Sequence, residues 1–265
     1  MDSSLFFGYI GALVVGLVLG LIGAGGSILT VPIMVYIVGL NPVLATAYSL
    51  FVVGVTSLIG AIQNLKNKMV DVKTAIIFAI PAFIAVYLTR LLLIPAIPEH
   101  IFKLGGVNIS KDIFIMVFFA VIMLLASFSM IRDRKSNTIE NQEIKYNYPL
   151  IAIEGVLVGI LTGLVGAGGG FLIIPALVLL AKLPMKKAVA TSLLIIAAKS
   201  LIGFIGDIQN MAIDWSFVLT FTAISILGII IGMYLSKYIS NEKLKKGFGW
   251  FVLLMAVYII YMELG

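Results

Sequence analysis

The stretch Gly16-Leu-Val-Leu-Gly-Leu-Ile-Gly-Ala-Gly-Gly-Ser27 returns as Gly159-Ile-Leu-Thr-Gly-Leu-Val-Gly-Ala-Gly-Gly-Gly170, an offset of 143 residues. The register then holds without a gap. Pro32 falls on Pro175, Ala45 on Ala188, Ala47 on Ala190 and Ser49-Leu50 on Ser192-Leu193, and Ser57-Leu-Ile-Gly60 falls on Ser200-Leu-Ile-Gly203. Asn67 and Asp71 meet Asn210 and Asp214, which makes 22 identities in the 56 pairs from Gly16/Gly159 to Asp71/Asp214. Shared hydrophobicity does not keep so many identities in one register, so the chain reads as a duplication.

Around this repeat the composition is that of a protein dissolved in lipid. Hydrophobic residues make up 62% of the 265 and charged residues 11%, with a mean hydropathy of +1.18. A water-soluble domain of this size has no way to hide that much apolar surface. Most apolar blocks approach the ~20 residues needed to cross ~30 Å of hydrocarbon. They run from Leu5 to Ile22, Ser27 to Val38, Val43 to Ile62, Thr74 to Ile94 and Ile113 to Ile131. The second set runs from Leu150 to Val165, Phe171 to Ala181, Ala188 to Ile205, Phe217 to Ser236 and Lys246 to Met262. The expected fold class is an all-α integral membrane protein of about ten membrane segments.

Residues 1–131 form the first repeat, 132–148 a charged cytoplasmic linker and 149–265 the second repeat. The N-terminus lacks a positive n-region and a small-residue cleavage site, so Leu5 onward reads as mature structure. The absence of cysteine excludes a disulfide framework, a thiolate metal site and a Cys nucleophile. The surplus of 18 Lys and Arg over 12 Asp and Glu sits in short loops, where it reports topology and headgroup contact rather than nucleic acid.

Counting loop Lys and Arg decides whether Leu5 to Val38 crosses once or turns back at Gly23-Ala-Gly-Gly26. A single crossing divides them 7 against 10, and turning back in both halves divides them 14 against 3. The second division obeys the positive-inside rule. Each half then crosses an odd net number of times, so the halves are expected to lie antiparallel, with both termini outside and the linker inside the plasma (inner) membrane. The 12 residues from Ser27 to Val38 span only ~18 Å as a helix, which leaves a re-entrant segment open.

A backbone that leaves its helix inside a membrane is tolerated only within protein or beside a wet cavity. The glycine turns therefore suggest a substrate site, with close helix packing through small residues as the alternative. The N–H groups of Gly25, Gly26 and Ser27 open a helix whose positive end suits an anion. Gly168, Gly169 and Gly170 are their mates, and the expected site is at the midplane where the repeats meet. Ser49, Thr191 and Ser192 add hydroxyls that either donate to oxyanion oxygens or bond back to a helix carbonyl. Lys199 lies deep in an apolar run, opposite Thr56 in the repeat. It is expected either to touch ligand or gate, or to snorkel or meet a structural partner such as Asp207. Arg90, near a segment end, is expected at the interface. Asp71 and Asp214 read as helix N-caps. Asn64 and Asp207, at equivalent helix ends, either cap or line an exit. Glu154 has no charged mate, and His100, in an outer loop, is not expected to bind metal.

The doubled Gly-x-x-x-Gly-Leu-[Ile/Val]-Gly-Ala-Gly-Gly-[Ser/Gly], then Pro, then Ala-x-Ala-x-Ser-Leu, resembles the TauE/SafE family of sulfite exporters and related anion transporters over nearly the whole chain. The resemblance implies transport of sulfite, organosulfonates or similar anions. It carries a substrate role onto Gly23 to Ser27 and Gly166 to Gly170, and less directly onto Ser49 and Ser192. Gly170 stands where the first half has Ser27, so the two cradles need not be equal. Export is also favoured by voltage, since one negative charge leaving a cell that is negative inside releases roughly 2.3 kcal/mol per 100 mV.

The expected function is a secondary transporter, an exporter working by alternating access. Import of another sulfur-containing or carboxylate anion, or a membrane-embedded enzyme, is the alternative. The interior shows no His/Glu/Asp cluster and no Ser beside a base, which speaks against the enzyme. No cofactor is expected. The expected partners are a small anion and membrane lipid, without nucleic acid, and a homodimer is left open.

Overall fold

The computed structural model describes residues 3–23, 27–104, 107–131, 148–165, 173–174, 177, 183, 185–236, 238 and 241–264. Helix α1 covers Ser3–Ile22 and ends at Gly23, whose φ of +81° is open to glycine at little cost. The chain then returns as α2, Ser27–Pro32, continued by a π-helical stretch over Ile33–Ile37. Methyl groups of Ile33 and Val38 lie where Cβ atoms on Gly11 and Gly8 would stand, so this arm doubles back along α1. The turn-back that charge counting favours is therefore present in the first half. Its partner in the second half lies largely outside the described residues.

Helix α3 covers Pro42–Lys66, started by Pro42 and by the Asn41 side chain, which accepts from Val43 N at 2.9 Å. Helix α4, Val72–Leu88, passes through a π-helical stretch at Thr89–Leu93 into the single turn α5, Ile94–Ala96. Strands β1, His100–Leu104, and β2, Val107–Ser110, form an antiparallel hairpin. The sequence reading treats this region only as an outer loop, and His100 is exposed there. Helices α6, Lys111–Ile131, and α7, Tyr148–Val165, follow. The last three are α8, Met185–Ile208, α9, Trp215–Leu235, and α10, Asn241–Leu264. Apart from Tyr148, which opens α7, the expected linker lies outside the described residues.

Among the described residues, five helical runs are long and apolar enough to span a bilayer: Ser4–Ile22, Pro42–Lys66, Val72–Ala96, Lys186–Ile208 and Trp215–Leu235. Their outward faces are oily. Ile76, Ile80, Ile84, Leu88 and Leu92 form an exposed stripe at four-residue spacing along α4 and the π-helical stretch that continues it, a surface suited to acyl chains rather than water. This is a multi-pass membrane protein.

Helices α8 and α9 begin 143 residues after α3 and α4, and the packing keeps the same correspondence. The pairs α1–α9 and α7–α4 lie against each other, as do α3–α8, α6–α10, α4–α8 and α9–α3. Glycine makes the first two crossings close. Cβ atoms on Gly16 and Gly20 would collide with backbone at Ser225, Ile229 and Met233, and on Gly228 and Gly232 with backbone at Leu13 and Leu17. Across the other crossing, Cβ atoms on Gly155 and Gly159 would come within 2.5 Å and 2.7 Å of the Phe78 and Ala82 carbonyl oxygens. Lipid tails are as apolar as the side chains, so tight van der Waals contact through small residues does the work that hydrophobicity does in water. Helix α10 closes the returning arm. The Tyr36 hydroxyl donates to Glu263 Oε1 at 2.9 Å, and its ring meets Tyr258 edge-on.

Candidate functional site in the α3–α8 interior

Among the described residues, half of the buried polar groups sit on helices α3 and α8, which pack against each other. Ser49, Thr56 and Ser57 on α3 and Ser200 on α8 are fully buried, and their hydroxyls have no hydrogen-bond partner. Ser57 and Ser200 are repeat mates. Unpaired buried polar atoms carry a desolvation cost of about 1–3 kcal/mol each.

Lys199 is fully buried beside Ser200, and its Nζ donates to Thr162 Oγ1 at 2.8 Å. Lys199 and Thr162 each lie fourteen residues into their helices, ~21 Å along at 1.5 Å per residue. Lys199 therefore does not snorkel, and its nearest polar group is a neutral hydroxyl on α7 rather than Asp207. Among the described residues its Nζ meets no carboxylate within ion-pair distance.

Asp207 instead faces Arg90. The Arg90 Nη1 stands 3.4 Å from Asp207 Oδ1 and donates to Thr46 Oγ1 at 3.0 Å. Arg90 is wholly buried, which corrects the expectation that it reaches the interface. Two local features place it there. The π-helical stretch Thr89–Leu93 redirects the last turn of the α4 segment, and Gly206 leaves room for its Cβ, with a methyl there falling 3.1 Å from it. The available signal was cost, since an arginine in an apolar block calls for an acid, and Asp207 lay just past the end of another such block.

The remaining expected site residues take several positions. The Thr191 hydroxyl accepts from the Asp71 backbone N–H at 2.9 Å, and its repeat mate Tyr48 accepts from the Asp214 N–H at 2.7 Å. Asp71 and Asp214 cap their helices as expected, accepting from Thr74 N and Phe217 N at 2.9 Å and 3.1 Å. Sequence reading singled out Ser49/Ser192 and missed that 48 and 191 are also both hydroxyl positions. Ser192 bonds back to the Val189 carbonyl at 2.8 Å. Asn64 bonds back to Gly60 O at 2.9 Å. Ser27 opens α2, and Gly23, at the preceding turn, presses on Val189 of α8. Gly25, Gly26, Gly168, Gly169 and Gly170 lie outside the described residues. Among the described residues no group of three His, Cys, Asp or Glu is arranged to hold a metal.

The sequence that builds this interior has a counterpart among known proteins. Residues 9–259 match the family described as Sulfite exporter TauE/SafE. The chain belongs to that family. A TauE/SafE relative in Xylella fastidiosa (strain 9a5c), named a probable membrane transporter protein, is 28% identical over 93% of this chain and 91% of its own. The probable membrane transporter protein YunE of Bacillus subtilis is 27% identical over 94% of each chain. The probable membrane transporter protein MJ0441 of Methanocaldococcus jannaschii is 35% identical over a shorter match, 42% of this chain and 44% of its own. No solved structure matches.

Proposed function

We propose that this TauE/SafE membrane transporter carries small oxyanions such as sulfite or organosulfonates outward, by alternating access around a site between two inverted halves. The single observation that carries the reading is Lys199, a buried intramembrane amino group bonded to a neutral hydroxyl and followed by Ser200, a buried hydroxyl without a partner. A lone buried cation is costly, and a bound anion removes that cost. The unpaired hydroxyls of Ser49, Thr56, Ser57 and Ser200 are donors for the remaining oxygens, and the helix starting at Ser27 adds backbone N–H groups and a positive end.

The matched packing of α1–α9 with α7–α4 supports two halves related by a pseudo-two-fold axis in the membrane plane. In this reading the chain makes ten membrane segments. Residues 1–131 and 149–265 form the halves, the linker between them faces the cytoplasm, and both termini face outward from the plasma membrane. Outward movement needs no coupling ion, because the membrane potential already drives an anion that way. Solute exchange, rather than chemistry, is the activity of the site.

Counterflow of labelled sulfite or sulfoacetate into proteoliposomes tests the reading. Lys199→Ala is expected to lower counterflow at least about tenfold, the loss of one charge-assisted contact. Absence of counterflow with every anion of a broad panel would sink the proposal.

A further inference from the structure

The Arg90–Asp207 pair is badly made for a structural salt bridge. A buried ion pair repays the desolvation of both charges only with good geometry and with its remaining donors and acceptors satisfied. Here one nitrogen, Nη1, serves both Asp207, at 3.4 Å, and Thr46. That separation is well beyond the ~2.7–2.9 Å of a strong charge-assisted bond. Arg90 Nε and Nη2 have no partner, and neither does Asp207 Oδ2. The unused Nε–Nη2 edge is the edge with which a guanidinium grips two oxygens of one anion side by side.

Three further observations agree. The pair bridges the two halves at only one of two equivalent places, because the repeat mates of Arg90, Asp207 and Thr46 are Met233, Asn64 and Val189. An ion pair demanded by the fold itself would be expected at both places. Arg90 sits in a π-helical stretch, a backbone form that recurs at functional sites. The cluster also lies just below a surface, because Gln209, two residues beyond Asp207, donates to the Tyr87 hydroxyl at 3.3 Å in an exposed contact.

We propose that Arg90 is a second oxyanion station, between the α3–α8 interior and the surface formed by the 209–214 loop. Asp207 is its built-in competitor. The free Nε–Nη2 edge takes two oxygens of a sulfite or sulfonate, and Asp207 draws the guanidinium back when the anion leaves. This station rests on the anion-carrier reading above but stands apart from Lys199, so an anion passes from one cation to the other instead of being trapped at either. The Tyr87–Gln209 contact is the outermost polar cover.

Calorimetric titration of the purified full chain with sulfite and methanesulfonate, with chloride as the control, tests this alongside counterflow. Arg90→Lys keeps the charge and loses the fork, and it is expected to weaken oxyanion binding about tenfold or more while chloride is unaffected. Asp207→Asn removes the competitor and is expected to tighten binding severalfold while slowing counterflow. Since either single change risks misfolding, the apolar pair Arg90→Met with Asp207→Leu is read as well. It removes both buried charges together, is expected to remain monodisperse, and is expected to lose the oxyanion-specific component.

Oxyanion binding within twofold of the parent in Arg90→Lys or in the apolar pair overturns the station. So does Asp207→Asn without tighter binding. If those variants match the parent while Lys199→Ala abolishes counterflow, the central reading stands and this inference alone falls. A parent protein that binds neither sulfite nor methanesulfonate takes both down.

Discussion

At the end of α8, Asp207, Arg90 and Thr46 make a buried charged cluster; their repeat mates, Asn64, Met233 and Val189, are all neutral. The backbones at the two places correspond closely, since α3 and α8 start 143 residues apart and end at an aspartate-capped turn in both halves. Asn64 bonds back to its own helix, to Gly60 O, whereas Asp207 has no such option and turns to another helix. The two places keep the same scaffold and differ in chemistry. What both halves share, namely the glycine crossings, the caps and the 48/191 hydroxyl contacts, is therefore structure. What stands at only one of two equivalent positions, Lys199, Arg90 and Asp207, is where function is to be sought.

Sidedness gives the largest effect with which to break this comparison. The chain has no cysteine, so single cysteines report without interference. Residues 70 and 186 are expected to react with an impermeant maleimide from the same face, and residue 212 from the other. Reaction of 70 and 186 from opposite faces would end the inverted arrangement.

Stability comes next. Asp207→Ala leaves Arg90 buried without its acid and is expected to cost about 3–5 kcal/mol. Asn64→Ala, at the matching position, is expected to cost under about 1 kcal/mol. Thermal unfolding in detergent compares them, and equal losses would erase the contrast. Smaller still are Tyr48→Phe and Thr191→Val. Each removes one hydroxyl from a backbone N–H, and each is expected to lose about 1 kcal/mol in the same assay, a matched pair where the previous two are unmatched. The smallest effect belongs to Gly247→Ala in α10. Open space surrounds that position, so a gain of about 0.5–1 kcal/mol from helix propensity is expected.

Much of the architecture was legible because membrane sequences are read by length, charge and repetition. The glycine stretch and the Lys/Arg count gave the turn-back that Gly8 and Gly11 make against Val38 and Ile33, and the repeat set the starts of α8 and α9. The Asp71 and Asp214 caps followed from acids placed just before apolar runs. The interior position of Lys199 was legible because a charge in an apolar run has few places to go. Arg90 was misjudged because distance from a segment end, measured along a regular helix, takes no account of a π-helical stretch that redirects the side chain inward. Its partner was hidden too, since pairing residues 90 and 207 depends on the packing of α4 on α8, which repeat register alone does not reveal. The 48/191 equivalence escaped because tyrosine and threonine share an oxygen without sharing a shape.

The bond from Tyr36 to Glu263 ties the arm that folds back from the first glycine turn to the far end of the final helix. Shortening that helix before Tyr258, or fusing a bulky reporter at its tip, would unlatch the arm at its outer end. Affinity handles and fluorescent fusions are better placed in the 132–147 segment, with detergent-extracted yield as the practical gauge of that choice.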